Sequence, residues 1–170
     1  MNGYTIKDLS EHTDFIPVLA TWHFTRWGEL TGAATEAAYA DFLRTCVSTQ
    51  RIPSTLVAIR KQEVLGSVNL VACDMQIRPE LTPWLAHLYV HEEERNQGIG
   101  SALVRAAVER SRKLGFSAFY LYTSGTLPSY YEHLGWAKRE TVLYKGRERT
   151  IMQMNLFSTG HMTAITADEE

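Results

Sequence analysis

The chain of 170 residues is long enough for one hydrophobic core and short for two. Its apolar, aromatic and charged shares are those of an ordinary globular protein, and 17 Lys+Arg against 19 Asp+Glu give a formal charge of -2. That balance argues against nucleic acid or an anionic membrane as the main partner, since both call for a basic surplus. No apolar run approaches the ~20 residues of a membrane span, and "MNGYTIKDLS" lacks the basic head and apolar stretch of a signal peptide. Cys46 and Cys73 lie far apart and form no Cys-x-x-Cys pair. They read as reduced thiols of a soluble, cytoplasmic protein.

In chain order, "YTIKDLS" predicts a strand, and "TDFIPVLATWHF" a helix capped by Thr13 or Asp14 with Pro17 in its first turn. "WGELTGA" reads as a loop and "ATEAAYADFLRTCVST" as a second helix. "STLVAIR", "KQE" and "VLGSVNLVACDM" form a β-hairpin, and the proline-marked "QIRPELTP" leads to the strand "WLAHLYV". The helix "SALVRAAVERSRKL" puts Leu103, Val104, Ala107, Val108 and Leu114 on one face and ends at Gly115. "SAFYLYT" is a strand, "LPSYYEHL" a short helix ended by Gly135, and "WAKRETVLY" pairs with "RERTIMQMNLF" as a last hairpin. The basic run "KRETVLYKGRER" reads as that hairpin's solvated face. The order β-α-α-β-β-β-α-β-α-β-β predicts a single α/β (α+β) domain over residues 1–157. A polar, acidic and disordered tail over 158–170 follows.

The chemistry concentrates in "HEEERNQGIGSALV", a loop between a strand ending at Val90 and a helix beginning near Gly100. A helix N-terminus carries unpaired N–H groups and a partial positive charge, so it is ready to hold an anion. Gly98 and Gly100 let the backbone approach a ligand with no Cβ in the way, and Arg95 adds a forked cation at the rim. The dinucleotide fingerprint fails because Leu103 stands where a third small residue is required, and the Gly-Lys-Ser/Thr of a Walker loop is missing. From the loop alone, a bare glycine cap with no ligand stays open. "EEE", Glu92 to Glu94, reads as a solvated turn pointing outward. His87 and His91 lie ~13 Å apart on a strand, too far to share a metal ion.

"RNQGIGSAL" resembles the Arg/Gln-x-x-Gly-x-Gly/Ala signature of the Gcn5-related N-acetyltransferases (the GNAT superfamily). "LAHLYVHEEE" is similar to the strand that approaches that loop. "YYEHLGW", about 30 residues downstream, resembles the second signature, Tyr-x-x-x-Gly-aromatic. The resemblance implies a mixed, mostly antiparallel twisted sheet of about seven strands flanked by about four helices. It also implies an N-acetyltransferase that moves the acetyl group of acetyl-CoA to a primary amine of a small molecule or peptide by direct attack, without a metal.

Arg95, Asn96, Gln97, Gly98, Ile99, Gly100 and Ser101 would then cradle the coenzyme pyrophosphate. The backbone of Leu88, Tyr89 and Val90 would pair with its pantetheine arm, with a Val90-region N–H polarising the thioester carbonyl. Ser124 stands where the family often has a coenzyme-touching Asn. Tyr131, four residues before Gly135, would be the general acid, leaving Tyr130 to pack. The usual base positions hold Ala86 and Trp84, neither of which accepts a proton. Strand alternation turns His87 to the opposite face unless a bulge intervenes, and it reads as a structural histidine. Water, Glu29 or His23 is the expected route for the amine proton. Trp22, Trp27, Glu29 and Asp74 are the candidate acceptor contacts. The alternative is a non-catalytic acyl-CoA-binding module, favoured by the empty base positions. The exposed edge of the last hairpin leaves a homodimer open.

Overall fold

The computed structural model describes residues 3–31 and 35–157. Among them the chain order is β1 (Thr5–Asp8), α1 (Ile16–Thr31), α2 (Glu36–Thr45), β2 (Ser54–Arg60), β3 (Glu63–Val71), β4 (Trp84–Val90), α3 (Ile99–Lys113), β5 (Ala118–Thr123), α4 (Leu127–His133), β6 (Ala137–Tyr144) and β7 (Arg147–Asn155). This is the element order expected from the sequence. The tail at 158–170 lies outside the described residues.

The strands form one sheet in the order β1-β2-β3-β4-β5-β7-β6. Strand alternation splits the core between its two faces. Leu56 and Ala58 pack on one side with Leu103, Val104 and Ala107 of α3. Val57 and Ile59 pack on the other with Leu19 of α1 and Leu43 of α2. The apolar spacing of α3 gives that helix one continuous buried stripe. Its end is set by Gly115 at φ 89, whose N–H bonds Arg112 O at 3.0 Å while the Phe116 N–H bonds Ser111 O at 3.3 Å. Beyond Val71 and Trp84, a third apolar group gathers Met75, Tyr144 and Ile151 on the α1 and α2 side.

Two departures from the sequence reading matter for the site. "WGEL" is not a loop: α1 runs on through it to Thr31, so Trp27 and Glu29 project from a helix. Gly28 costs a helix about 1 kcal/mol relative to Ala, yet it is buried beneath the Phe24 ring, where a Cβ would stand 2.9 Å from Phe24 Cδ2. Packing thus overrides the local weakness. Also, Thr13–Phe15 form a 3-10 turn that feeds α1, in place of a simple side-chain cap.

The sheet is open at its middle. Strands β4 and β5 are parallel and register at a single pair, Trp84↔Tyr120. From Ala86 onward the β5-facing edge of β4 has no strand partner among the described residues, while its other edge stays paired to β3. The β3 side needs Gly66, because a Cβ there would stand 2.5 Å from Tyr89 O and 3.2 Å from Val90 Cα. Gly66→Ala is therefore expected to cost about 1–3 kcal/mol through overpacking. Thermal melting checks this, with Gly3→Ala, which points into open space, as the silent control.

Candidate active site

The open edge of β4 is shaped by a bulge. Ser67 pairs with Tyr89 and Asn69 with Ala86, so one residue of β3 faces both His87 and Leu88. His87 takes a left-handed φ of 53. The bulge turns it to the α1 and α2 face, where its ring lies 6.0 Å from His23 and 5.5 Å from Trp27. The Thr55 hydroxyl donates to Asn69 Oδ1 at 2.7 Å, and the Asn69 amide N–H then donates to His87 Nδ1 at 3.0 Å. Burial pushes the His87 pKa down to about 4, so the ring is neutral and its accepting nitrogen is taken. His87 is thus a structural histidine that also lines a cavity.

His23 cannot supply the base either. It is 1% exposed, bonds Ser67 Oγ at 3.1 Å through Nε2, and is held near pKa 3 by burial and by His87. Ala86 and Trp84 are both buried, and Trp84 Nε1 donates to Leu81 O at 2.6 Å.

Past the bulge, the His91 N–H bonds back to Leu65 O of β3 at 2.9 Å. Ladder alternation therefore directs the Val90 N–H and C=O to the open edge. Arg95 Nε meets that carbonyl at 2.9 Å, and its guanidinium lies 5.7 Å from the Tyr89 ring centre. The loop itself is stapled from beneath. Arg60 donates to Glu94 Oε2 at 2.9 Å and to Gln97 Oε1 at 3.2 Å, and Gln97 Nε2 donates back to Glu94 at 3.3 Å. Glu94 is therefore no outward, solvated acid: it neutralises Arg60 and fixes the loop. Gln97 likewise spends its side chain on this staple.

Asn96 and Gly98 adopt positive φ of 63 and 80, and Gly98 caps α3 with no side chain closing the helix end. The first-turn N–H groups of Ile99, Gly100 and Ser101 have no acceptor inside the helix. A Cβ at Gly98 would meet nothing within 4 Å, so the approach is open. Ser101 Oγ lies 2.9 Å from the Tyr130 hydroxyl, which joins α3 to α4 beside this helix end.

The two tyrosines of α4 exchange the roles expected for burial. Tyr131 is the packed one, 8% exposed within the α3-side core, while Tyr130 is 36% exposed at the helix end. The reason is the face that α4 turns to the sheet, which a pair of adjacent residues does not reveal. Burial, and secondarily Tyr130, pushes the Tyr131 pKa up to about 12. Its ring nonetheless lines the cavity.

That cavity, about 520 Å³, passes through the gap between β4 and β5. Leu88 and Tyr131 border it on the α3 and α4 side, and Ala86, Tyr122 and Asp74 on the other. Of the expected acceptor contacts, Trp27, Glu29 and Asp74 meet there. Trp22 does not: it packs against Tyr89 and His91, at 5.4 and 5.0 Å between ring centres. Ser124 lines the gap and accepts from Arg149 at 3.4 Å. Sequence reasoning missed Arg149, Lys145 and Arg147, which the last hairpin brings to the cavity, Arg149 half-buried and the other two at its exposed rim. The odd-numbered β7 positions shared with Ile151 were the available signal. Asp74 is half-buried, and desolvation raises its pKa to about 7 against the opposing pull of Lys145. No cysteine lines this cavity; Cys46 is buried and Cys73 exposed, both free thiols.

The gap in the sheet, the bulged β4 with backbone groups turned to it, and the open N-terminus of α3 thus lie side by side. The chain belongs to the acetyltransferase (GNAT) family, whose model matches residues 18–136. Among curated proteins it is similar to N-acetyltransferase 8 of Homo sapiens, 30% identical over 125 residues, which are 70% of this chain and 54% of that one. The chain thus spans about half the length of that relative. Among solved structures, a ribosomal-protein-alanine N-acetyltransferase from Brucella melitensis superposes with TM-score 0.70 at 19% identity over 89% of this chain and 99% of that one. The yncA protein of Salmonella typhimurium, solved with its cofactor acetyl-CoA, superposes with TM-score 0.68 at 16% identity over 96% and 99%. These neighbours share the fold. No described helix is long and apolar enough to cross a membrane.

Proposed function

We propose that this chain is an acetyl-CoA-dependent N-acetyltransferase that joins donor and amine inside the gap between β4 and β5. The observation that carries the reading is the continuity of that gap: it connects the open edge of β4 and Tyr131 on one face with Asp74 on the other. Family membership and the acetyl-CoA-bound structural neighbour support the choice of donor.

The residues present fit that donor. The uncapped first turn of α3 and Arg95 would hold its pyrophosphate, and the open β4 edge at Leu88 to Val90 would hold the pantetheine arm. Acetyl-CoA, when bound, supplies an activated thioester. The outward Val90 N–H would be available to the thioester carbonyl oxygen as it gains charge. Asp74 would take one proton from the ammonium, and the neutral nitrogen would then bond the thioester carbon. Tyr131 would give its hydroxyl proton to the sulfur as the carbon–sulfur bond breaks, and the second proton shed by the nitrogen would return to the Tyr131 oxygen. Asp74 suits the first role because a base works best with a pKa near the operating pH. Of the other lining acceptors, Glu29 is exposed to solvent, His87 is occupied, and burial pushes both Tyr122 and Tyr131 to about 12.

Incubation with acetyl-CoA and pools of primary amines, followed by thiol release and mass spectrometry, tests this reading. Acetylated amine equal to thiol released is expected. Acetyl-CoA binding without thiol release from any pool would favour a non-catalytic module. The Glu94 staple gives a separate check. Glu94→Gln removes a half-buried ion pair worth about 1 kcal/mol, so the Kd for coenzyme A should rise about fivefold, measured by calorimetric titration.

A further inference from the structure

The cavity holds cations with no acid within salt-bridge distance among the described residues. Arg149 leaves β7 on the same side as Ile151, the face away from α3 and α4. Its guanidinium lies 5.7 Å from the Tyr122 ring centre and, among the described residues, hydrogen-bonds only Ser124 Oγ, at 3.4 Å. Its Nε is buried with no hydrogen-bond partner among the described residues. Lys145 and Arg147 flank it at the β6–β7 turn, and none of the three is within salt-bridge distance of an acid among the described residues. Other half-buried arginines here are spent differently: Arg60 on Glu94, Arg78 on Glu140 and Arg110 on Asp8.

A half-buried guanidinium beside an aromatic ring, held by one long hydrogen bond to a hydroxyl and by no acid, suits a carboxylate. Asp74, of the opposite sign, lines the same cavity. We propose that the acceptor is an amine that carries a carboxylate, as a free amino acid does, with the carboxylate on Arg149 and the amine toward Asp74. This deepens the transferase reading and rests on it. The charges match the two ends of a zwitterion: a guanidinium for the anion and an acid for the ammonium, both lining one cavity. A polyamine or aminoglycoside would bring its surplus charge against Arg149, Lys145 and Arg147 and bind poorly. Arg149 lies on the acceptor face, so the pyrophosphate at the α3 end does not account for it.

The test uses matched probes. Leucine, phenylalanine and glutamate are compared with leucinamide, phenylalaninamide and spermidine as acceptors, by thiol release from acetyl-CoA. For at least one amino acid, the acid should exceed its amide by about tenfold or more in kcat/KM, the size of a charge-assisted hydrogen bond. Arg149→Gln should collapse that ratio to about one, and Arg149→Lys should restore part of it. A merely structural arginine would change both rates together and leave their ratio intact. Amides used as well as acids by the wild type, or a ratio untouched by Arg149→Gln, would overturn the proposal. N-acetyl-leucine and N-acetyl-phenylalanine, product-shaped and needing no turnover, are titrated separately. Binding to the wild type that is lost in Arg149→Gln supports the site even if thiol release fails, and binding of neither acid overturns it. Failure of the carboxylate site and failure of the transferase reading are thereby told apart.

Discussion

Tyr131→Phe is expected to lower kcat by about 100-fold, within the usual yield of a general acid, and to leave the fold and the KM for acetyl-CoA nearly unchanged. The ring is embedded in the α3-side core and stays there in the variant. The hydroxyl makes no hydrogen bond among the described residues, so its removal orphans no buried partner. What is lost is the proton for the departing sulfur, which must then leave as a thiolate. With a pKa near 12, Tyr131 holds its proton across the whole working range, so the acid is always present. An alkaline fall in rate near pH 10 would therefore not come from it. Tyr130→Phe separates the two tyrosines: it removes the contact with Ser101, so its effect belongs in coenzyme affinity and not in kcat. Rates at saturating acetyl-CoA, with circular dichroism and melting as fold controls, make the comparison.

Asp74→Asn is expected to lower kcat/KM by about 100-fold above pH 7 and to remove the rise in rate through pH 7. In the wild type that rise reports conversion of Asp74 to its carboxylate. The group sits beside Lys145 and Tyr122, and burial outweighs Lys145 in raising it from 3.8 to about 7. The same shift acts on stability. An unfolded chain ionises this carboxyl near pH 4, whereas the folded chain resists until about 7. Asp74 therefore costs stability as pH rises from about 4 to 7, and the full cost is present above 7. Asp74→Asn should melt higher than the wild type at pH 8, by the ~2–4 °C that 1 kcal/mol gives in a chain of this size. At pH 4 the two should melt alike. A variant both more stable and far less active would mark a strained acid kept for its chemistry.

What was legible in the sequence was local or periodic. The glycine loop, the amphipathic α3 and the Tyr-x-x-x-Gly-Trp segment each carry their signal within a dozen residues. The pairing of the last two strands was legible from the short turn between them. The features that decide the site were not local. The His87 bulge depends on a count of residues between Ser67 and Tyr89 on two different strands. The cation cluster depends on which face of β7 meets Asp74, a residue of the β3–β4 connection. The acids before the loop looked alike, yet Glu94 alone has Arg60 beneath it. Continuation of α1 through Gly28 needed the Phe24 ring, which a propensity scale does not see.

The central claim is that donor and acceptor meet in one gap through the sheet and react directly. Initial velocities with both acetyl-CoA and amine varied test it most directly. Intersecting double-reciprocal lines are expected, because both must be bound before the carbon–nitrogen bond forms. Parallel lines, with an acetyl group trapped on the protein, would contradict the account and require a nucleophile in place of Asp74 acting as base.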